Sequence, residues 1–270
     1  MLINILVSTI DRGIEKVENL LLPPRPDLAY VISHQVTDEK YRAIPQALQR
    51  DDVKVGQLEG RGLCRNRNSS IAMADGDVAL LSDDDVRYRD EYIDNLIEAF
   101  DRDRDMDVGC FRIATPPGDG DYKDYAKEAY LLNRESRHYL STIEIAFRVK
   151  AIKSRGLSFD ERFGLGSALN SFGEEAVFIH DCIRAGLQVK YFPLYVVEHA
   201  RVSTIKSIER FATINTVFKG AYDARRYGWL ALPAALYDTL RYRVLICGEG
   251  RRPVDYLKER MQGVSYILRK

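Results

Sequence analysis

Several things are scarce in this sequence of 270 residues, and each scarcity excludes a class of answer. Four cysteines, Cys64, Cys110, Cys182 and Cys247, stand far apart with no C-x-x-C pair. That spacing argues against a zinc site or a disulfide framework and fits a reducing compartment. No charge of either sign is in excess: Lys+Arg and Asp+Glu both number 40. A balanced chain projects no basic field for nucleic acid and carries no acidic tail. No apolar run approaches the ~20 residues that span a bilayer. The opening M-L-I-N-I-L-V-S-T lacks a charged n-region and a cleavage site, and its apolar part is too short for a signal segment, so it reads as a first strand. Internal repeats and low-complexity stretches are missing too. The expectation is a cytoplasmic protein, peripheral to a membrane at most.

What is there has a β-loop-α-β rhythm. Leu2–Val7 and Leu28–Ile32 read as strands, with a V-K-V strand inside Asp52–Leu58. Ile14, Val17, Leu20 and Leu21 recur at helical spacing until Pro23-Pro24 stops them. Val108–Ile113 and Thr142–Val149 are further strand-like runs, separated by a flexible loop at Thr115–Tyr122 and a charged amphipathic segment that reaches His138. Alternation of this kind builds a mostly parallel sheet with crossover helices.

The most telling stretch is Asp75–Tyr88, D-G-D-V-A-L-L-S-D-D-D-V-R-Y. Val78–Leu81 suits a buried strand, and it ends in Ser82 and three aspartates. Ligands of open α/β sheets bind at the carboxyl ends of strands. Adjacent carboxylates repel unless a cation or donors are present, and hard divalent cations prefer oxygen ligands. Capping of the following helix, Arg89–Phe100, accounts for one aspartate and not for three.

Just upstream, Gly60 and Gly62 open a turn into a helix over Leu63–Ala74. Leu63, Arg67 and Ile71 share one face of it, which turns Arg67 towards the sheet. A buried guanidinium needs an anion, either the aspartates after the neighbouring strand or a bound diphosphate; an arginine snorkelling over apolar neighbours is the common alternative. Further on, a loop holding Gly164, Gly166 and Gly173 leads into a helix over Glu174–Ala185. Glu174 and Glu175 there complement the macrodipole, and one of them facing a cleft is suited to act as a general base. Beyond Ser203 the chain reads as helices, Ile205–Tyr227, Leu230–Leu245 and Pro253–Lys270, rich in Arg, Tyr and Leu.

Three features in order resemble the family 2 glycosyltransferases of GT-A fold, in the type that builds bacterial cell-surface glycans. They are Arg67-Asn68, the D-x-D-like Asp83–Asp85, and Gly173-Glu174-Glu175 after the F-D-E-R-F-G stretch Phe159–Gly164. The resemblance covers roughly residues 1 to 200. It implies a GT-A catalytic domain over 1–204, a mixed and mostly parallel sheet flanked by helices, with a helical extension over 205–270. It implies an inverting transfer of sugar from a nucleoside diphosphate, UDP by default, to a hydroxyl of a glycan or lipid-linked acceptor.

By the same resemblance Asp83 and Asp85 hold a divalent metal, Mn²⁺ or Mg²⁺, with His199 as a further candidate ligand. Asp84 touches sugar or ribose. Arg67, Thr9, Asp11, His34 and Gln35 line the nucleotide. Glu175 corresponds to the base, with Glu174 supporting it or contacting the acceptor, and a base that is ionised at neutral pH is expected not to be deeply desolvated in the working complex. Two departures stand out: Ser33-His34-Gln35 replaces the acidic residue the family uses to read uracil, and the base position is Glu where the family has Asp. Lys206, Lys219, Arg225 and Arg226 are candidates to close over the diphosphate. The stretch Tyr227–Tyr237, flanked by arginines, is a candidate for a membrane surface, for packing on the catalytic domain, or for a sister subunit in a homodimer. Two other readings carry different signatures. A sugar-phosphate nucleotidyltransferase requires a Gly/Arg-rich loop after the first strand, which Thr9–Gly13 matches poorly. A non-catalytic sugar-binding subunit has no need of Asp83, Asp85 and Glu175 together.

Overall fold

A computed structural model describes residues 1–133, 140–170, 172–200 and 212–269. An eight-stranded sheet in the order β3-β2-β1-β4-β7-β5-β8-β6 forms its centre. The strands are β1 (Ile3–Ile10), β2 (Leu28–Val36), β3 (Val53–Glu59), β4 (Val78–Ser82), β5 (Val108–Ala114), β6 (Tyr130–Leu131), β7 (Ile145–Arg148) and β8 (Val189–Glu198). β1, β2, β3 and β4 run parallel, as do β5 and β8. β7 is antiparallel to both β4 and β5. The mixed, mostly parallel sheet expected from the sequence is therefore present.

The sheet is buried on both faces, which is why its central strands read as continuous apolar runs. Alternation still sorts the side chains. Ile3, Ile5 and Val7 pack with Ile14, Val17 and Leu20 and with Ile93, Leu96 and Phe100 of α2 (Asp90–Arg102). On the other face Leu6, Ala79 and Leu81 meet Cys64 and Ile71 of α1 (Leu63–Met73) and Phe178 of α4 (Glu174–Arg184). The helix expected after β1 is a 3₁₀ segment, Asp11–Leu20. Its buried residues, Ile14, Val17 and Leu20, recur at intervals of three, the repeat of a 3₁₀ helix.

Three other expectations need correcting. β2 was expected to end at Ile32 but continues to Val36, because Ser33, His34 and Gln35 stay in register between β1 and β3. The strand expected over Thr142–Val149 is cut at both ends. A capping box between Ser141 and Glu144 winds Thr142–Glu144 into a 3₁₀ turn, and α3 (Val149–Ser154) begins directly after β7. The helix expected over Leu230–Leu245 is divided into a 3₁₀ turn at Gly228–Leu230, then α6 (Ala231–Arg241) and α7 (Arg243–Gly248).

After β8 the described elements are all helical, with α5 (Thr213–Tyr227) and α8 (Pro253–Leu268) packed together. The expected boundary at 204/205, the start of the Ile205–Tyr227 helix and Lys206 lie outside the described residues, as does His138. The helical unit does not stand apart from the sheet. Phe163 and Val177 share an apolar cluster with Ala221, Ala224 and Val264, and Arg225 bonds Asp160 and, at 2.6 Å, Asp181 of α4. A Cβ on Gly173 would lie 2.3 Å from the Phe218 ring of α5, so only glycine allows α5 to approach the start of α4 this closely.

Candidate active site

The chain leaves β1 in one direction for β2 and β3, then crosses back to β4 on the other side. Such a reversal opens a crevice at the carboxyl ends of the two strands, and the expected site residues surround it. Thr9, near the end of β1, donates its hydroxyl to Asp84 Oδ2 at 2.6 Å. Burial pushes the Asp84 carboxyl above its ordinary range, and the Thr9 bond opposes that rise. The first turn of the 3₁₀ segment presses against this pair. A Cβ on Gly13 would lie 2.1 Å from Asp84 Oδ2 and 2.3 Å from Thr9 Oγ1.

Arg67 is the pivot. Its side chain is 4% exposed; one guanidinium nitrogen lies 2.5 Å from Glu174 Oε1 and the other 3.4 Å from Asp83 Oδ1. The ring of Phe159 lies 5.5 Å from the guanidinium carbon. The helical spacing of Leu63, Arg67 and Ile71 turns the residue inward, and the two carboxylates make its burial tolerable. Asp83 is surrounded by protein yet 42% exposed through the crevice. Burial raises its carboxyl, and Arg67 counters part of that rise.

Glu174 is the buried member of its pair and belongs to Arg67. Glu175 is half-buried, and among the described residues no other side chain forms a hydrogen bond or ion pair with its carboxylate. Burial, and after it the charge of Glu174, pushes Glu175 up to about 8. Both effects favour the protonated carboxyl in the ligand-free protein, whereas the expectation of an ionised base concerns the complex with donor and acceptor bound.

Asp85 faces His199, with Oδ1 3.5 Å from Nε2. The histidine holds Asp85 below the usual carboxylate range, and Asp85 in turn raises His199. Nδ1 of His199 donates to Ala200 O at 2.6 Å, which turns Nε2 towards the aspartate. Among the described residues no three His, Cys, Asp or Glu side chains form a ready-made cage for a metal. Mg²⁺-type sites, however, take only one or two protein carboxylates and complete their shell with substrate phosphates and water. The exposed Asp85 carboxylate fits that pattern, and the His199 imidazole would add a nitrogen donor to it.

Asp11, His34 and Gln35, expected at the nucleotide, are engaged within the protein. Asp11 takes Thr37 N and Oγ1 on its two oxygens, each at 2.8 Å, from a left-handed backbone at φ 51°. His34 is fully buried, with Nε2 3.0 Å from Asp11 O and Nδ1 3.1 Å from Gln57 Nε2. Burial lowers its affinity for a second proton. Gln35 donates to Gly62 O. The three hold the crevice wall together in this structure. Lys219 pairs with Asp223 and Asp238, and Arg225 with Asp160 and Asp181.

One group escaped the sequence reading. Glu144, 1% exposed, accepts from Lys123 Nζ at 2.8 Å, from Tyr125 OH and from Ser141 N. Lys123 also opposes the rise of Glu175. The pattern S-T-I-E at 141–144 is a legible capping box, but nothing in the sequence links Lys123 to it. Beside this cluster a cleft of about 340 Å³ is lined by Tyr92, Tyr122, Tyr125, Tyr195, Arg89 and Glu198, among others.

Comparison with known proteins decides the family. Residues 8–155, more than half of the chain, match the family model for Glycosyl transferase family 2. The chain belongs to that family. This is a family of glycosyltransferases, and the nucleotidyltransferase reading gives way. Solved structures agree on the fold. The crystal structure of S. aureus TarS is similar with a TM-score of 0.55 at 20% identity, over 90% of this chain and 44% of that one. This chain thus spans less than half of that protein's length. TarS 1-349 in complex with UDP gives 0.57 at 19% identity, over 98% of this chain and 81% of that one. TarS 1-349 in complex with UDP-GlcNAc gives 0.54 at 18% identity, over 80% and 67%. No curated protein matches the sequence. Among the described residues no helix of this family 2 glycosyltransferase is long and apolar enough to cross a membrane.

Proposed function

We propose that this glycosyltransferase moves a sugar from a nucleoside diphosphate, UDP in the first instance, to a hydroxyl of a glycan or lipid-linked acceptor, with inversion at the anomeric carbon. One observation carries the reading. Arg67 joins Asp83 of the β4 loop to Glu174 at the start of α4, so two acidic motifs ninety residues apart share one crevice. The crystal complexes of TarS with UDP and UDP-GlcNAc support the choice of donor class.

Each residue then has a defined task. Asp85, with His199 and Asp83, would hold a divalent cation, Mn²⁺ or Mg²⁺. That cation supplies positive charge for the departing diphosphate. Thr9 and Asp84 form the floor beneath ribose or sugar. Glu175, once ionised, takes the proton from the acceptor hydroxyl. The new bond forms to the anomeric carbon as its bond to the diphosphate breaks on the opposite face. No covalent enzyme intermediate is needed. Arg67 positions both carboxylate groups, and the tyrosine-lined cleft offers aromatic faces on which an acceptor sugar can pack.

The test is calorimetric titration with UDP, with and without Mn²⁺, of the natural protein and of Asp85→Asn. Binding that needs Mn²⁺ and is lost in the variant is expected while the melting temperature holds. Equal UDP affinity in the variant would remove the cation from the reading.

A further inference from the structure

The face of α6 and α7 is built in reverse. An ordinary surface helix turns its large apolar residues inward. Here α6 buries Ala231, Ala235 and Thr239, small residues one turn apart, against its neighbours. Most large residues from the Gly228–Leu230 turn to the start of α7 point out, Leu232 of α6 and Ile246 of α7 excepted. Trp229 is 71% exposed, Leu230 70%, Leu240 61% and Val244 74%, with Leu236 and Tyr237 between them. More than half of the large apolar side chains exposed among the described residues fall within 227–254. Leu236, Leu240 and Val244 follow one another at intervals of four, with Tyr237 beside Leu236, and Trp229 and Leu230 extend the patch at its N-terminal side. An apolar patch this concentrated marks a surface that something covers.

Charge identifies the occupant. Although the chain is neutral overall, residues 205–270 carry 13 Lys/Arg against 6 Asp/Glu, and residues 1–204 carry 27 against 34. Arg241 and Arg243 flank the stripe, are exposed, and make no ion pair among the described residues. Asp238, the one acid between Trp229 and Val244, is turned aside to Lys219 and Arg260. A second copy seated on this face would bring two basic surfaces together. An anionic surface is attracted to both features. Trp, Tyr and Leu on one face with arginines at its margin is also the composition of a helix that lies in a bilayer interface.

We propose that α6 and α7 dock this protein on anionic phospholipid, with the stripe from Trp229 to Val244 inserted among the headgroups. α5, which precedes them, packs at Gly173 against the start of α4, so docking fixes the orientation of the crevice to the membrane. The surface stands apart from the chemistry, and its test uses neither donor nor acceptor.

Trp229 is the only tryptophan of the chain, so its fluorescence reports on this face alone. The full chain is mixed with vesicles of phosphatidylcholine, or of phosphatidylcholine with phosphatidylglycerol, and followed by Trp emission and flotation. A blue shift and co-flotation with the anionic vesicles only, reversed by salt, is the expected result. Leu240→Ser with Val244→Ser should lower partitioning by roughly tenfold or more. Arg241→Gln and Arg243→Gln should each lower it about fivefold. All four positions are exposed, so the melting temperature should hold; the lipid and salt dependence of the unaltered chain decides the matter regardless. Absence of binding to anionic vesicles overturns the proposal. So does a lipid-free blue shift that grows with protein concentration and vanishes in the Leu240→Ser variant, which would assign the face to a second copy.

Discussion

Replacing Arg67 with methionine removes the cation buried between the two acidic motifs, and the cost can be worked from its surroundings. Glu174 is left with a carboxylate whose side chain is 7% exposed and which has lost its partner at 2.5 Å. Stranding a buried charge in this way costs about 3–5 kcal/mol. Asp83 adds little, because its bond is longer, at 3.4 Å, and the crevice lets water reach it. The expected loss is therefore near the lower end, about 3 kcal/mol, or roughly 6–12 °C in melting temperature for a chain of this size. Thermal unfolding followed by circular dichroism measures it. Glu174→Gln added to Arg67→Met should restore most of the loss, because a neutral amide need not be paired with charge. Arg67→Lys should recover only part of it, since an ammonium lacks the fork that reaches both carboxylates. A loss below about 1 kcal/mol, or a double variant no more stable than Arg67→Met alone, would refute the reasoning and make Arg67 an ordinary snorkelling arginine.

Two further outcomes are expected. Burial and the charge of Glu174 push Glu175 up to about 8, so kcat/KM should climb with pH through neutrality and level off near that value. Glu175→Gln should lower kcat roughly 10²–10⁴-fold and abolish the climb, whereas a variant that keeps the same pH limb would exclude Glu175 as the base. The sign for stability is the opposite. A carboxyl raised from 4.5 favours the folded state at low pH, and that contribution fades as pH rises through about 8, so Glu175→Gln should flatten the melting temperature across this window. Gly13→Ala should displace Asp84 from Thr9, because its Cβ has no space beside Oδ2. Titration calorimetry should then show weakened UDP binding, and undiminished affinity would detach the Thr9–Asp84 pair from the donor.

How much of this was legible depends on whether local chemistry or the long-range partner decided the structure. β4 and its three aspartates were readable because a buried parallel strand is a short apolar run and its carboxyl end is where polar groups collect. α1 and α4 were readable from glycine stops and four-residue spacing. The end of β2 was misplaced because polar residues usually close a strand. Here His34 and Gln35 are buried by bonds to Asp11, Gln57 and Gly62, partners that only the fold supplies. The short β6 is fixed by β8, sixty residues away. Nor does composition distinguish the inward from the outward face of α6, since both are apolar. The difference lies in size, alanine against leucine, and becomes visible only once the neighbours are in place.

The raised Glu175 and the paired Glu174 are two consequences of one arrangement. Helix N-termini favour carboxylates, so the start of α4 accommodates both side chains. Arg67 is oriented towards Glu174 by the face of α1 it occupies, and Lys123 acts on Glu175 only through its charge. The second carboxylate therefore meets burial and a neighbouring negative charge with no bonded cation among the described residues, and it rises. A base formed this way is weak in water and stronger where water is excluded, which matches its proposed task of taking a proton at neutral pH rather than holding a fixed charge. Exchanging the two roles would require Arg67 on a different face of α1. The four-residue interval from Leu63 to Arg67 to Ile71 thus leaves Glu174 paired with Arg67, which is why the proposed base is Glu175 and not Glu174.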